Sequence, residues 1–588
     1  MPLFVEELTK AVLETAGEQD RAAAVLTAGS APTRAIPATL QASLIARLDR
    51  LGTAAKEVAQ IHAVLGREFG YELIQRVAQR PDLDKSLAQL AAAGLIFCRG
   101  IAPHSSHLFK HALVQDAAYG TLLRARRQEL HARVATVLEQ HFADLAERRP
   151  ELLAHHLTGA GEVERAVAQW LKAGQFAAAR LAHREAIRHF DRGLALLGSL
   201  PEGSARDGHE TELLLGRGLS LFTTEGFSST TAAQGYERAS ELAERRHDAR
   251  QLFMAVYGQW QSNAGWGRIL AGSPLSQKLL NLTENEEDIG FRLQAHHSGW
   301  TTRWFTGELA IGRRHCEAGR RLYDPGRHRS HRLLFGGHDP GVCAFNTAGQ
   351  IEWLLGYPDT ALASGREGLA LAERIAHPFS LLLVLIYMSM LHLNRREPDA
   401  ALQSIVAAET LVAEQRLAFV FEPRFFRGGA FLAQGAVDEA VVCLREGLGG
   451  AVRNARPYGL ALLAEALALR GEHGAALAAV EEGLQTQETT GQRTWDAELH
   501  RLKGIALLGQ NKREESQSAF EESLRIAQRQ HARAYELRAA TSLARLWGEQ
   551  GKVSEAHELL APVYGWFTEG FDTCDLREAK ALLEELAA

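Results

Sequence analysis

The sequence predicts an all-α chain built mainly from stacked helical hairpins, and three observations predict it. From about residue 160 onward, apolar residues recur at three- and four-residue spacing and β-branched residues are sparse, the signature of amphipathic helices. The helical stretch also resembles itself. GQIEWLLGYPDTALASGREGLALAE at 349–373, GAFLAQGAVDEAVVCLREGL at 429–448 and EALALRGEHGAALAAVEEGL at 465–484 share one layout. Each has an apolar helix, a turn often marked by Gly, a small residue five positions on, and a second helix. Aligning that small residue gives a ladder: Ala186, Ala232, Ala271, Gly312, Ala361, Ala401, Ala440, Ala476, Ser516 and Ala556. Two antiparallel helices approach closely only where the facing side chain is a methyl or less.

The ladder's mean interval of about 41 residues exceeds the ~34 of the tetratricopeptide repeat (TPR), which the pattern resembles. One extra turn on each helix, at ~3.6 residues per turn, supplies the difference. No single hairpin buries its own apolar face, so the pairs are expected to share a continuous core as a TPR-like α-solenoid. Composition agrees with a folded soluble chain: 46 % hydrophobic, 23 % charged, formal net charge −6. That balance carries no nucleic-acid footprint. Five scattered Cys without a CxxC pair argue against a disulfide framework or a Cys-type zinc site and for a cytoplasmic setting. MPLFVEELTKAVLE has no basic region before a long apolar run, so no signal peptide is expected. The most apolar stretch, PFSLLLVLIYMSMLHL at 378–393, is short of the ~20 residues that span a bilayer and reads as a buried helix.

The first 150 residues read differently. After a Pro/Gly/Ser-rich joint at 27–37 come two amphipathic helices and the start of a third. LDKSLAQLAAAGLIFCRG then reads as a helix broken at Gly94 and a strand from Leu95 to Arg99, with a second strand at His107 to Lys110. Three helices and a hairpin are the layout of a small winged-helix domain. Its third helix, Leu83–Leu95, holds one Lys and no Arg, which argues for packing or protein interaction rather than DNA reading.

Pro2-Leu3-Phe4-Val5 resembles the lid motif of STAND and AAA-type ATPases. PATLQASLIARLDRL and Phe109-Lys-His111-Ala-Leu-Val114-Gln-Asp116-Ala-Ala-Tyr119 resemble the winged helix that follows it. Nearly the whole chain resembles the C-terminal half of bacterial proteins that join an adenylate/guanylate cyclase domain, an ATPase domain and a TPR array. The resemblance implies a lid remnant at 1–29, a winged-helix-like domain at 36–125, a helical connector at 126–182, TPR-like repeats at 183–563 and a C-terminal capping helix at 564–588. It also implies a nucleotide-side role for Pro2 and His111. No Gly-x-x-x-x-Gly-Lys-Ser/Thr cradle is present, because the only Gly-Lys is Gly551-Lys552 followed by Val. The expected function is therefore non-catalytic: a sensor or scaffold that binds a protein or small effector in the repeat groove, with no cofactor, no nucleic acid and no membrane. The alternative is one half of a split cyclase/ATPase whose nucleotide-binding domain lies on a partner chain.

Several clusters are candidates for binding. Gly312 to His338 holds seven Arg and four His with two acidic residues, and Arg pairs bidentately with carboxylate or phosphate. Arg313, Arg314, Arg320, Arg321, Arg327 and Arg329 form the candidate anionic-ligand or partner groove. The ladder interval here is 49 residues, an insertion, and insertions in repeat arrays often lie on the binding face. Trp260, Trp300 and Trp304 are either core or an effector pocket. His104, His107 and His111, like His155 and His156, read as structural or surface histidines, and no metal is assigned. The aromatic cluster Tyr564 to Phe571 reads as a terminal cap, with Glu569, Asp572 and Asp575 beside it.

Overall fold

The computed structural model describes residues 40–415, 417, 423–449 and 455–588. The expected lid remnant at 1–29, with Pro2, lies outside them. The chain divides into two compact units. One runs through Ala173 and includes Asp191–Pro201; the other comprises Gly174–Phe190 and Glu202–Ala588.

The N-terminal unit begins with α1 (Leu40–Arg50), α2 (Thr53–Leu65), β1 (Glu68–Gly70), α3 (Tyr71–Ala78), α4 (Leu83–Ala92), β2 (Ile96–Arg99) and β3 (Ser106–Phe109). It continues through α5 (Ala112–Gly120), α6 (Arg124–His141), α7 (Ala143–Arg148) and α8 (Pro150–Ala160). The strands form an antiparallel sheet of order β1-β3-β2, with both Phe69 and Cys98 opposite His107. The expected two-stranded hairpin thus gains a third strand. β1 is only three residues long, too short for alternation to show in sequence. It is fixed by burial of Phe69, whose ring meets the buried His62 edge-on at 4.0 Å. Leu44, Leu48, Val58, Ile61, Ile74, Leu87, Leu90 and Phe109 fill the core between helices and sheet.

Two helices cross the division, α9 (Val163–Ala179) and α10 (His183–Leu196). The repeat unit then stacks α11 (Ser204–Glu225) with α12 (Thr230–Arg246), α13 (Ala249–Gly265) with α14 (Ile269–Leu282), and α15 (Ile289–Phe305) with α16 (Leu309–Leu322). An irregular segment with the single-turn α17 (His331–Leu334) follows. Next come α18 (Pro340–Leu354) with α19 (Pro358–Ile375), α20 (Pro378–Asn394) with α21 (Pro398–Gln415), and α22 (Pro423–Ala433) with α23 (Val437–Leu448). The last pairs are α24 (Arg456–Leu469) with α25 (His473–Thr490), α26 (Asp496–Gly509) with α27 (Arg513–Gln530), and α28 (Arg533–Glu549) with α29 (Val553–Gly565). α30 (Cys574–Ala587) closes the unit. The fold is a TPR-type α-solenoid.

The ladder is the physical basis of these pairs. Ala186, Ala232, Ala361, Ala401, Ala440, Ala476 and Ala556 are all fully buried, as are Ser516 and Gly312. Ala271 is exposed, and its neighbour Gly272 takes the rung instead. The turn fixes this register. Five residues before the rung the chain turns through a left-handed conformation at Gly267, Gly307, Gly356, Gly435, Gly471 and Gly551, and also at Leu181, Arg396 and Asn511. Gly267 therefore points to Gly272. Several rungs meet the residue twelve positions earlier. Gly349 stands against the Ala361 carbonyl and Gly428 against that of Ala440. The Ser389 hydroxyl donates to the Ala401 carbonyl at 3.1 Å, and the Ser516 hydroxyl to the Gly504 carbonyl at 2.8 Å.

Segments far apart in sequence meet within this unit. Glu569 caps α19, accepting the N–H groups of Asp359 and Thr360 at 2.9 Å each, while Asp359 accepts the Gly570 N–H. The Arg493 N–H donates to the Phe305 carbonyl at 2.7 Å. The aromatic segment after α29 thus packs as a cap, with Phe567 buried and Trp566 at 5.5 Å from Tyr357. α18, α20 and α24 bury most of their side chains. The apolar stretch 378–393 is one of these core helices, and no helix among the described residues is long and apolar enough to cross a membrane.

The register yields a paired test. Ala440→Trp overpacks a rung and should cost at least the ~1–3 kcal/mol typical of overfilled cores, lowering the melting temperature. Ala271→Trp should stay within about 0.5 kcal/mol of the parent, as exposed substitutions do. Equal loss in both, measured by thermal denaturation, would remove Gly272 from the ladder.

Candidate functional site

The arginine-rich segment splits into two groups. Arg313 and Arg320 are engaged. Arg313 pairs with Glu317 at 3.2 Å and lies over the Tyr357 ring. Arg320 donates to the Ser364 hydroxyl at 2.9 Å and covers the Phe345 ring at 4.3 Å. Arg314, Arg321, Arg327 and Arg329 are exposed, and among the described residues none of their guanidiniums forms an ion pair, although the Arg327 N–H donates to Asp324 Oδ1 at 2.8 Å. Arg314 and Arg321 flank a histidine pair that joins α15 to α16: His296 Nδ1 lies 2.8 Å from His315 Nδ1. Burial pushes His315 down to about 4, and His296, Arg303 and Arg314 add to it. His296 is lowered by burial and by Arg292 and Arg321. The exposed Arg292 thus belongs to the same seam. At neutral pH the pair is uncharged and guanidiniums carry the seam's positive charge.

Trp260, Trp300 and Trp304 do not line an open pocket. All three are buried, and Trp260 donates its indole N–H to the Thr302 hydroxyl at 2.9 Å. Trp300 stacks on His297 at 4.8 Å. Gly319 makes the space, since a Cβ there would stand 2.4 Å from the Trp300 ring.

The other histidines fall elsewhere. His104 is exposed, His107 lies in β3, and His111 precedes α5 half-buried, its Nε2 without a hydrogen-bond partner. The three do not converge. His131 accepts or donates at both ring nitrogens, to Tyr119 Oη and His156 Nδ1, each at 3.0 Å. Burial and neighbouring cationic groups push His131 to about 4 and His156 to about 2.

A buried ionic network escaped the sequence reading. Arg501 grips Glu498 through two hydrogen bonds of 2.8 and 2.7 Å. Arg538 donates to Asp575 at 2.8 Å, to Glu498 at 3.3 Å and to the Asn394 carbonyl at 2.9 Å. Arg396, held in a left-handed backbone, reaches Glu578 at 2.7 Å. Burial alone would raise the Glu498 carboxyl, but Arg501, Arg538 and Arg396 hold it at about 2. These groups surround a cavity of about 140 Å³. The Arg396, Arg501 and Arg538 guanidiniums are matched by carboxylates, so the network ties α20, α26, α28 and α30 together. Asp575, placed beside the cap by the sequence, belongs to this network, and Glu569 to the α19 cap.

No protein-family model matches the chain. A protein of Rhizobium meliloti (strain 1021), itself named only as uncharacterized, is 29 % identical over 565 residues, 93 % of this chain and 53 % of that protein. The chain spans about half the length of the curated relative it matches. Among solved structures, it is similar to a STAND ATPase with a tetratricopeptide repeat sensor from Pyrococcus horikoshii, at 12 % identity and TM-score 0.30, over 99 % of this chain and 73 % of that one. It is similar to the APC/C hetero-tetramer Cut9-Hcn1 at 13 % identity and TM-score 0.37, over 80 % and 96 % of the two chains. A Rap protein complexed with competence and sporulation factor shares 11 % identity and TM-score 0.37, over 69 % and 94 %.

Two outcomes follow for stability. Arg538→Met removes the 2.8 Å partner of Asp575 and one of the guanidiniums facing Glu498, leaving Arg396 and Arg501 in place, and should destabilise by about 1–3 kcal/mol in denaturant unfolding. The lowered histidines set the acid limb. Where the folded pKa is depressed, the unfolded chain binds protons first, so stability present above the ordinary histidine pKa is lost as pH falls. His131 and His315 act through about 4 and His156 down to about 2. The melting temperature should begin to fall between pH 6.5 and 4, above the range where carboxylates alone would act. A flat profile there would contradict the neutral, buried assignment.

Proposed function

We propose that this chain is the non-catalytic TPR-type sensor and scaffold portion of a STAND- or cyclase-type signalling protein, and that it grips an acidic segment of a protein partner. The observation that carries this reading is the cationic seam between α15 and α16. Arg292, Arg314 and Arg321 surround the neutral His296–His315 pair, and Arg327 and Arg329 extend the charge into the insertion. A guanidinium set without ion-paired carboxylates among the described residues is complementary to a carboxylate-rich surface. Such complementarity steers encounter and selects partners. The seam lies on helices whose other faces are locked in the core, so it is presented on a rigid base.

The N-terminal unit is read as a winged helix that relays occupancy of the array. His111, with its unpartnered Nε2, is the proposed contact toward a lid or nucleotide-binding element. α4 offers one Lys, which supports protein contact over nucleic acid. The missing phosphate cradle supports the absence of ATPase chemistry in this chain. No cofactor and no membrane contact enter the reading, and the setting is cytoplasmic.

A titration with a glutamate-rich peptide tests the seam. Affinity should fall as salt rises, and the double variant Arg314→Glu/Arg321→Glu should lose at least about tenfold, or ~1.4 kcal/mol, with its melting temperature unchanged. Equal affinity in the variant defeats the proposal. Magnesium-ATP separates it from the split cyclase/ATPase alternative. A non-catalytic scaffold shows no ATP-dependent rise in melting temperature, because a ligand stabilises only the fold it binds. A rise of several degrees would favour the alternative.

A further inference from the structure

The insertion after α16 does more than lengthen one repeat. Two successive glycines in the left-handed region, Gly336 (φ +79°) and Gly337 (φ +78°), turn the chain inward. A Cβ at Gly336 would stand 1.7 Å from the Gln261 amide, so a larger residue would have to displace that buried side chain as well as adopt a left-handed backbone. The turn delivers His338 to the core. Asp339 then caps α18 through the N–H groups of Gly341 and Val342, and Cys343 follows in its first turn. His297 projects from the middle of α15 to meet both. His297 Nε2 lies 3.3 Å from His338 Nε2 and 3.2 Å from Cys343 Sγ, and the three ligand atoms all fall within 4.8 Å of one another. All three side chains are buried.

The hydrogen bonds around the rings decide where their protons are. Gln294 Nε2 donates to His331 Nδ1 at 3.0 Å, which turns Gln294 Oε1 toward His297 Nδ1, also at 3.0 Å. An amide oxygen only accepts, so His297 carries its proton on Nδ1 and its Nε2 bears a lone pair. The other tautomer would set two lone pairs against each other at that distance. Tyr257 Oη, 2.8 Å from the same Nδ1, can share that proton. His338 Nδ1 faces the Gly336 carbonyl at 3.2 Å, so its proton is there and its Nε2 is likewise a lone pair. Two imidazole lone pairs and a sulfur therefore converge in a dry space. The single thiol hydrogen can satisfy only one of them. A Nδ1–H held by a carbonyl or amide oxygen is the arrangement that orients metal-ligating histidines. In a tetrahedral zinc site with Zn–N of ~2.0–2.1 Å, two nitrogens stand about 3.4 Å apart, close to the separation found here.

We propose that His297, His338 and Cys343 bind a thiophilic d10 cation, zinc(II) or copper(I), which clips the insertion to α15 and α18. Two imidazoles and one thiolate suit both ions. On binding, the Cys343 S–H proton leaves to solvent and the sulfur forms the third bond. Nothing is oxidised or reduced. Burial pushes the free thiol up to about 12, while the Trp300 indole N–H and the Thr347 hydroxyl favour the thiolate. The walls of the site are the tryptophans once read as an effector pocket: Trp260 lies 5.8 Å and Trp300 4.8 Å from the His297 ring.

The test uses the full chain, stripped by chelator and titrated anaerobically with cobalt(II), then with zinc(II), and separately with copper(I). Cobalt should bind stoichiometrically with thiolate-to-metal charge-transfer absorption, and zinc should bleach it. Preference for copper(I) in competition would assign that ion instead, within the same proposal. Cys343→Ser should abolish the charge-transfer band, and Gln294→Leu, which leaves Tyr257 Oη as the remaining partner of His297 Nδ1, should weaken binding about 10–100-fold. Circular dichroism of the stripped variants separates misfolding from lost ligation. Should the wild-type chain bind cobalt without the charge-transfer band, bind none of the three ions, or match the folded Cys343→Ser variant in affinity, the site is not a metal site.

Discussion

The repeat unit depends on one constraint: from Trp260/Gly272 to Gly504/Ser516, paired helices cross at points where a rung residue meets the residue twelve positions before it. Where both are small, the helices close in: at Gly349/Ala361 and Gly428/Ala440 backbone approaches backbone, and at Ser389/Ala401 a hydroxyl reaches the rung carbonyl. The two exceptions obey the same rule by exchange of volume. The earlier position is Trp260 or Trp300, and the rung is then glycine, Gly272 or Gly312. A core packed to crystal-like density has no slack for two large residues at one crossing. This explains why the rung is the most regular feature of a chain whose helix faces otherwise vary freely.

A second constraint acts across hairpins. Residues roughly 200 positions apart touch, and the contact is made by charges. Glu498, Arg501, Arg538, Asp575 and Arg396 are held by each other, by Glu578 and by the Asn394 carbonyl. Buried ions are costly to desolvate, and a hydrocarbon core of the same volume is often as stable. What the ions add is direction. Bidentate and backbone-directed bonds admit one alignment of α20, α26, α28 and α30, where leucines would tolerate a slide. The left-handed backbone at Arg396 fits this account. Glycine would suit that turn better, as it does in six other hairpins, yet the position carries a side chain that reaches Glu578.

How much could be read from the sequence follows from these forces. Features imposed by backbone geometry repeat with the fold and so were legible: the helices, the rung and the turn five residues earlier. The misplacement of one rung at Ala271 came from treating alanine as the marker, when the turn at Gly267 was the stricter guide. Features imposed by single side-chain contacts were not legible. β1 is three residues fixed by one buried Phe. Arg396 and Asp575 are 179 positions apart and share no periodicity. Two of the six candidate arginines, Arg313 and Arg320, are engaged by neighbours on α16, α18 and α19, which local charge counting does not see.

The insertion is where these arguments converge. A regular hairpin constrains its buried helix positions, since each buried side chain must satisfy the crossing and the neighbouring pair. The 49-residue interval releases that requirement over one stretch, and the released stretch is where chemistry collects. Its outer side carries Arg321, Arg327 and Arg329. Its inner end, bent by Gly336 and Gly337, brings His338 against His297 and Cys343. α15 and α16 carry Arg292, His296, Arg314 and His315 on one side, and the core-facing side of α15 carries Gln294, His297 and Trp300. The polar seam and the buried trio therefore share one helix. The residues of α15 alternate between them within a single turn, His296 outward and His297 inward. Holding the insertion at its buried end fixes the backbone that presents its exposed arginines. A loop anchored at one point in the core loses far fewer conformations on meeting a partner than a free one, since ordering each backbone residue costs on the order of 1–2 kcal/mol. Rigid presentation of charge by a repeat scaffold thus rests on the same inward turn that builds the trio, and the two glycines at that turn carry both.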